Sequence, residues 1–463
     1  MINDKIRDNF RELTIDKSLV RTLAIRDKQA IPSFVEEWLV SRYQEDESSN
    51  NEIELKITDF MSKHLPSKSE KELIKNRIMR GETVVVLDRF DARVDIKKAK
   101  RLVSIPCLDE SQALISDAVL DQNESLLEGG QWGAGQLSME KDGKSNAIAL
   151  IRFSPMESGV VELSSILEAR KNFSTEEWIQ FLMRTMGYEP ATYTSNEQRK
   201  VILRLLPLLH SNLNMMELAP KGTGKSFIYS NLSRYTWLNS GGALSQAQLF
   251  MNMNTKEKGI LVRHDLLVLD EGQSINFKGA DDIHAKFKDY LESGHFSIAN
   301  KKLTSDCGLM ILANIDLWEG KPRQSDYIKH LPEMFHDDAL IDRFHGIIPG
   351  WEIPRFTTEH AAKGFGMKAD VFGQYLHQLR KVSPSTFPYG RPPNLEGDSR
   401  DVKAVTRLCT ALSKLLLLNP EDHDYDEFVY KPALELRKRV REQLAELNPD
   451  EFKPFVNVSI KSL

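Results

Sequence analysis

A three-layer α/β core with a helical lid, preceded by a helical and then a β-rich N-terminal region, is the fold the sequence predicts. Three observations predict it. From residue 196 onward, short apolar runs alternate with helical stretches, as they do when helices cover both faces of a sheet. The run ELAPKGTGKS (217–226) stands between one apolar strand and the next helix. Between residues 78 and 165 the texture is different, with alternating strand-like runs broken by Gly, Asp, Asn and Ser.

Taken in order, residues 1–77 read as an N-terminal helical region. SFVEEWLVSRYQ and NEIELKITDFMSKHL carry apolar residues at three-to-four spacing, with DESSNN as a loop between them. Residues 78–165 read as a β-rich module, from ETVVVLDRFDARVD, KAKRLVSIPCL, SNAIALIRFSP and GVVELSSI. GQWGAGQL is glycine-rich but has no lysine and reads as a turn. Residues 166–195 form a helical linker: Ser174 followed by Glu177 is a capping box, and EPATYTS is a connection. In the core, 196–375, MMEL, LLVLD, GLMILAN and GIIPG are the strands, and SFIYSNLSRYTW is the helix after the glycine-rich loop. Residues 376–463 are a helical lid and tail, with SRDVKAVTRLCTALSKLLLL the clearest amphipathic segment.

Composition excludes several classes. No run of eighteen apolar residues exists, so no membrane-spanning helix is expected, and the charged N-terminus MINDKIRDNFREL has no apolar signal core. Three distant cysteines without a C-x-x-C pair argue against disulfides and zinc, and for a reducing cytoplasm. A net charge of −5 is not that of a uniformly basic nucleic-acid binder, so any DNA contact needs a local basic surface such as a pore.

Residues 219–226 follow the phosphate-loop (Walker A) pattern, with Ala219 where a glycine usually stands. Pro220, Lys221, Gly222, Thr223, Gly224, Lys225, Ser226 and Phe227 are the expected nucleotide contacts. Glycines let backbone N–H groups turn toward phosphate oxygens, Lys225 reaches the β and γ phosphates, and Ser226 ligates Mg²⁺. ATP and Mg²⁺ are therefore the expected cofactors. Downstream, LLVLDEG ends an apolar strand in Asp270, suited to the Mg²⁺ shell, and Glu271, suited to polarising the attacking water. Asn314 closes the strand GLMILAN and is placed to sense the γ-phosphate and the lytic water. Arg343, in DDALIDRFHG, is a candidate to enter a neighbouring subunit's site, although Asp338 or Asp342 could simply pair with it. Arg400 opens the amphipathic helix and is the candidate second sensor, contacting the γ-phosphate from the lid; a solvated helix face is the plainer reading.

This order of motifs resembles the AAA+ ATPases over about 216–412. The resemblance implies a ring completed by the neighbour's arginine. Within that superfamily, HFSIANKKLTSDCGLMILAN and RDVKAVTRLCTALSKL resemble the pore hairpin and second-sensor helix of the replicative MCM helicases. On that likeness Lys301 and Lys302 face DNA phosphates, whereas an ordinary exposed hairpin tip would hold lysines for solubility. EEWIQFLMRTMGYEP, ELAPKGTGKSFIYSNLSRYTWLNSGG, RFHGIIPGWEIPR and SRDVKAVTRL together resemble BrxL, the Lon-related AAA+ family of bacterial BREX phage-defence systems. That resemblance implies a DNA-associated ring ATPase, a hexamer or a double ring, acting with other BREX components in the cytoplasm. It is read as a short form without the Lon-like C-terminal domain, because Ser459, Ser462 and Lys461 sit in a short tail; proteolysis is not expected.

Three functions follow from these readings. The first is an ATP-driven ring on DNA, with the β-rich module as an OB-like collar. The second is a protein remodeller, for which QLFMNMN with Phe250, Met251 and Met253 offers an apolar pore loop unless those residues pack as core. The third is a scaffold gated by nucleotide.

Overall fold

In the computed structural model, described over residues 2–23, 25, 31–44, 49–67, 69–96, 99–127, 129–143, 145–159, 161–231, 235–253, 257–298, 301–383, 395–417, 425–456 and 458–460, the chain separates into two units. One comprises Ser18–Val160 with Lys368–Val371; the other comprises Met1–Lys17, Val161–Met367 and Phe372–Leu463.

The smaller unit is built on a closed five-stranded barrel. Its strands are β1 (Val84–Asp95), β2 (Lys100–Ile105), β3 (Glu110–Ile115), β4 (Gln131–Asp142) and β5 (Ser145–Pro155), joined in the order β1-β2-β3-β5-β4. All neighbours are antiparallel except β3 and β5. Val84, Val86, Phe90, Val103, Ile105, Leu137, Leu150 and Phe153 fill its core, and Ile74 and Ile78 of the helix Lys71–Met79 join them. The stretch GQWGAGQL is strand and not turn, because its glycines serve packing here. A Cβ at Gly135 would lie 2.2 Å from Cζ of Phe90, and one at Gly133 2.5 Å from the Phe153 ring. The two rings meet edge to face with centroids 5.3 Å apart, filling the volume that those glycines leave.

The larger unit contains a parallel sheet of five strands: β6 (Met215–Ala219), β7 (Thr236–Ser240), β8 (Leu266–Asp270), β9 (Gly308–Asn314) and β10 (Gly346–Pro349). Their spatial order is β10-β6-β9-β8-β7. Residues Leu266–Leu269 of β8 and the first six of β9 are buried, as continuous apolar runs in a sheet covered on both faces must be. The helix after the glycine-rich loop is shorter than its sequence suggests. It spans Lys225–Asn231, and Trp237 of the expected helical run belongs instead to β7, the sheet's edge strand. A second difference lies at 159–166, where the expected strand gives way to the helix Leu163–Arg170. The capping box at Ser174 and Glu177 opens the helix Thr175–Thr185 as expected.

The first seventeen residues cluster with this larger unit and not with the rest of 1–77. Strand Thr14–Asp16 pairs with Phe365–Met367, and Phe10 stacks on Phe181 at 4.8 Å within an aromatic cluster that includes Phe173 and Trp178. At the C-terminal end the helices Ser399–Leu416 and Lys431–Leu447 are joined by the fully buried Arg437, which pairs with Asp401 and Asp342 at 2.6 Å each. Among the described residues no helix is long and apolar enough to cross a membrane.

Candidate functional site

The loop between β6 and the helix Lys225–Asn231 is shaped by two glycines. Gly222 has φ +86° and Gly224 φ +74°, left-handed conformations that side chains with a Cβ rarely adopt. A Cβ at Gly222 would meet nothing within 4 Å, so the loop opens onto free space. Ala219 ends β6 fully buried, and the glycine missing at that position is matched by another across from it. A Cβ on Gly350 would lie 2.5 Å from Cβ of Ala219. Gly350 opens GWEIPR, a motif with no evident role in the sequence; the N–H of Phe356, just beyond that motif, donates to the Gly222 carbonyl at 2.8 Å.

Lys225 is buried, with its Nζ donating to Oδ1 of Asn314 at 2.5 Å. Burial lowers the pKa of this ammonium, opposed by the nearby carboxylates of Glu217, Asp270 and Glu271. The structure thus brings Lys225 and Asn314 together, since parallel pairing places the ends of β6 and β9 side by side: Asn314 pairs with Ala219. Asp270 closes β8 at this same rim, and the Glu271 N–H donates to its Oδ1 at 2.9 Å. Glu271 is exposed and held at φ +51°, an uncommon conformation for a residue with a side chain. Gly241 of the NSGG run donates to the Asp270 carbonyl at 3.2 Å, and a Cβ there would lie 3.4 Å from Oε2 of Glu271. Ser226 is half-buried, while Lys221 and Phe227 are exposed.

Among the described residues no cluster of three or more His, Cys, Asp or Glu could hold a metal by itself. The Ser226 hydroxyl and the Asp270 carboxylate are hard oxygen donors of the kind Mg²⁺ accepts when phosphate and water complete its shell. The donor set fits that ion.

Arg343 and Arg400 sit together, and not at this rim. The Arg343 Nε lies 3.4 Å from Oε2 of Glu292, and its Nη1 donates to the Ala339 carbonyl. Arg400 donates to Asp342 and lies 3.9 Å from the same Glu292. Arg400, the candidate second sensor, is thus held by Asp342 beside Arg343. Asp342 and Arg343 precede Gly346, which pairs with Met215, the first residue of β6, whereas the loop follows the last. The five-residue length of β6 separates the two rims by roughly 13 Å. Lys301 and Lys302 are exposed on the second strand of a hairpin, His295–Ile298 with Lys301–Thr304. Residues 299 and 300, between these strands in sequence, lie outside the described residues, as do Lys461 and Ser462. Ser459 lies in the short strand Val458–Ile460, paired with Leu395–Gly397. Phe250 and Met251 are buried in the core and Met253 packs against it.

Sequence reasoning missed a group beneath the loop. Arg204 and Glu217, both fully buried, form a bidentate pair at 2.9 and 2.6 Å. The Arg204 Nη1 also donates to the Tyr188 hydroxyl at 2.8 Å. Its one signal was Glu217 itself, a carboxylate inside the otherwise apolar strand MMELA.

The fold and this rim define a mixed α/β protein with an ATPase domain. A family model described as "Lon-like protease BrxL-like, ATPase domain" matches residues 148–457, and one described as "BREX system Lon protease-like protein BrxL N-terminal" matches residues 8–139. The chain is 29% identical over 460 residues to the Lon-like protease BrxL of Escherichia coli O9:H4 (strain HS), covering 96% of this chain and 65% of that protein. It is 31% identical over 461 residues to the Lon-like protease BrxL of Bacillus cereus (strain H3081.97), covering 97% and 68%. The chain belongs to the BrxL family, and spans about two thirds of the length of these curated relatives.

Proposed function

We propose that the chain is an AAA+ ATPase that hydrolyses Mg²⁺-ATP as a homo-oligomeric ring, a hexamer, and acts on DNA with other BREX components in anti-phage defence. The observation that carries this reading is the division of the site between two rims. Lys225, Asn314, Asp270 and Glu271 converge at one end of the sheet, and Arg343 with Arg400 lies at the other. Within one chain those arginines are held by Glu292 and Asp342, toward the end of the sheet opposite the loop. In a ring, one copy's arginines meet the next copy's nucleotide and offset the charge that develops as the terminal phosphate leaves.

In this reading Ser226 and Asp270 hold Mg²⁺, which when bound offsets phosphate charge. Glu271 orients and polarises the lytic water, and Asn314 holds the γ-phosphate oxygen where Lys225 meets it. The exposed Lys301 and Lys302 are the candidate DNA contacts, and the closed barrel suits an OB-like collar. A protein remodeller would need an apolar grip facing the pore, and the burial of Phe250 and Met251 weighs against that use. A scaffold that holds nucleotide without turnover has no need of the exposed Glu271.

The test is ATP hydrolysis by the purified protein with and without duplex DNA at one fixed salt concentration. A several-fold rise with DNA supports a DNA-coupled motor. Hydrolysis indifferent to DNA moves the reading to remodelling, and absence of turnover moves it to the scaffold.

A further inference from the structure

We propose that Arg204 and Tyr188 are positioning residues that hold the phosphate loop in its nucleotide-ready form; the proposal rests on the nucleotide-binding reading above. Three successive loop carbonyls are engaged by the protein. Gly222 O accepts from the Phe356 N–H at 2.8 Å, Thr223 O from Arg204 Nη2 at 3.3 Å, and Gly224 O from the Tyr188 hydroxyl at 3.0 Å. In a planar trans peptide the C=O and the following N–H point in opposite directions. Fixing these three carbonyls toward the protein therefore aims the N–H groups of Thr223, Gly224 and Lys225 outward, where phosphate oxygens would sit.

The remaining bonds make this arrangement rigid. Glu217 holds the guanidinium through two parallel bonds, leaving one edge for Tyr188 and Thr223. Tyr188 is fully buried, and burial raises its pKa, so the hydroxyl stays protonated as a donor. It is packed edge-on against Tyr193 and Phe356, with ring centroids 6.1 and 5.7 Å away. Tyr229 donates to the Arg204 carbonyl at 2.8 Å, tying the arginine's backbone to the helix that begins at Lys225. A buried ion pair contributes little net stability compared with apolar packing of the same volume. Its use here is direction: the charged fork faces the loop from behind.

Removing the brace loosens contacts to phosphates that are equally present before and during bond cleavage. Such a loss raises KM and spares kcat. The experiment compares ATP KM and kcat, and the thermal stabilisation by Mg²⁺-ATP, for the wild type, Tyr188→Phe, Arg204→Lys and Lys225→Ala. Tyr188→Phe deletes one hydroxyl and keeps the ring; a KM increase of roughly 5- to 10-fold is expected, with kcat within about twofold, as for loss of one hydrogen bond. Arg204→Lys removes the fork, and a larger KM increase is expected, with little added by Tyr188→Phe in the double variant, because the arginine positions the tyrosine. If Arg204→Lys does not fold, Tyr188→Phe alone decides. An unchanged KM in Tyr188→Phe, or a loss confined to the melting temperature of the nucleotide-free protein, overturns the proposal while leaving nucleotide binding intact. A wild type that neither hydrolyses ATP nor is stabilised by it, and so matches Lys225→Ala, overturns the nucleotide reading and this proposal with it.

Discussion

Gly350→Ala is expected to destabilise the larger unit and to disturb the phosphate loop, and Ala219→Gly is expected to restore part of both. The added methyl would lie 2.5 Å from the Ala219 Cβ and 2.8 Å from Oε1 of Glu217. Ordinary contact between carbons needs about 3.5–4.0 Å, so the segment after β10 must retreat from β6 by about an ångström. Overpacking of this kind costs about 1–3 kcal/mol. The displaced segment also carries the Phe356 N–H that holds Gly222, so the ATP KM should rise together with the loss of stability. Ala219→Gly alone should cost about 0.5–1 kcal/mol, as a glycine placed within a strand. In the double variant the Cβ–Cβ conflict is gone, while the contacts with Glu217 Oε1 at 2.8 Å and the Leu218 carbonyl at 3.0 Å remain crowded, so a coupling of about 1 kcal/mol in the restoring direction is expected. Denaturant unfolding of the four proteins, followed by tryptophan fluorescence, measures that coupling. Wild-type stability in Gly350→Ala, or purely additive effects in the double variant, would refute the account of Ala219 and Gly350 as a matched pair.

Other expectations concern chemistry and charge. Glu271→Gln should bind ATP with near-normal affinity and lose hydrolysis by about 100-fold or more, measured by nucleotide binding and phosphate release; turnover at the normal rate would remove Glu271 from the water-orienting role. Replacing Lys301 and Lys302 together by alanine should make DNA affinity less dependent on salt, lowering the slope of log K against log salt by about two; an unchanged slope returns them to ordinary surface lysines. Burial pushes His210 down to about 4 and His345 well below its usual range, so both fold as neutral groups. The unfolded chain takes up protons near pH 6.5 and the folded one only near 4 at His210, so stability should fall as pH drops through that window. His210→Gln should flatten part of this acid loss in a denaturation series from pH 7 to pH 4.

What the sequence determined by itself was set by short-range rules. Gly222 and Gly224 stand where the backbone needs positive φ, the Ser174 box caps its own helix, and the runs before Asp270 and Asn314 are long enough to be recognised as buried strands. Each rests on residues within a few positions of one another, so local pattern was sufficient. The tertiary structure decided whatever depended on partners distant in the chain. Gly133 and Gly135 belong to a strand because Phe153 and Phe90 occupy their space, and TWLNS joins the sheet because β8 offers it an edge. Arg400 lies beside Arg343 and away from the loop because Asp342, 58 positions earlier, holds it. Arg204 reaches the loop only because Glu217 sits inside β6, facing it. A side chain's type is written in the sequence, but the direction it faces depends on which distant strand or helix packs against it.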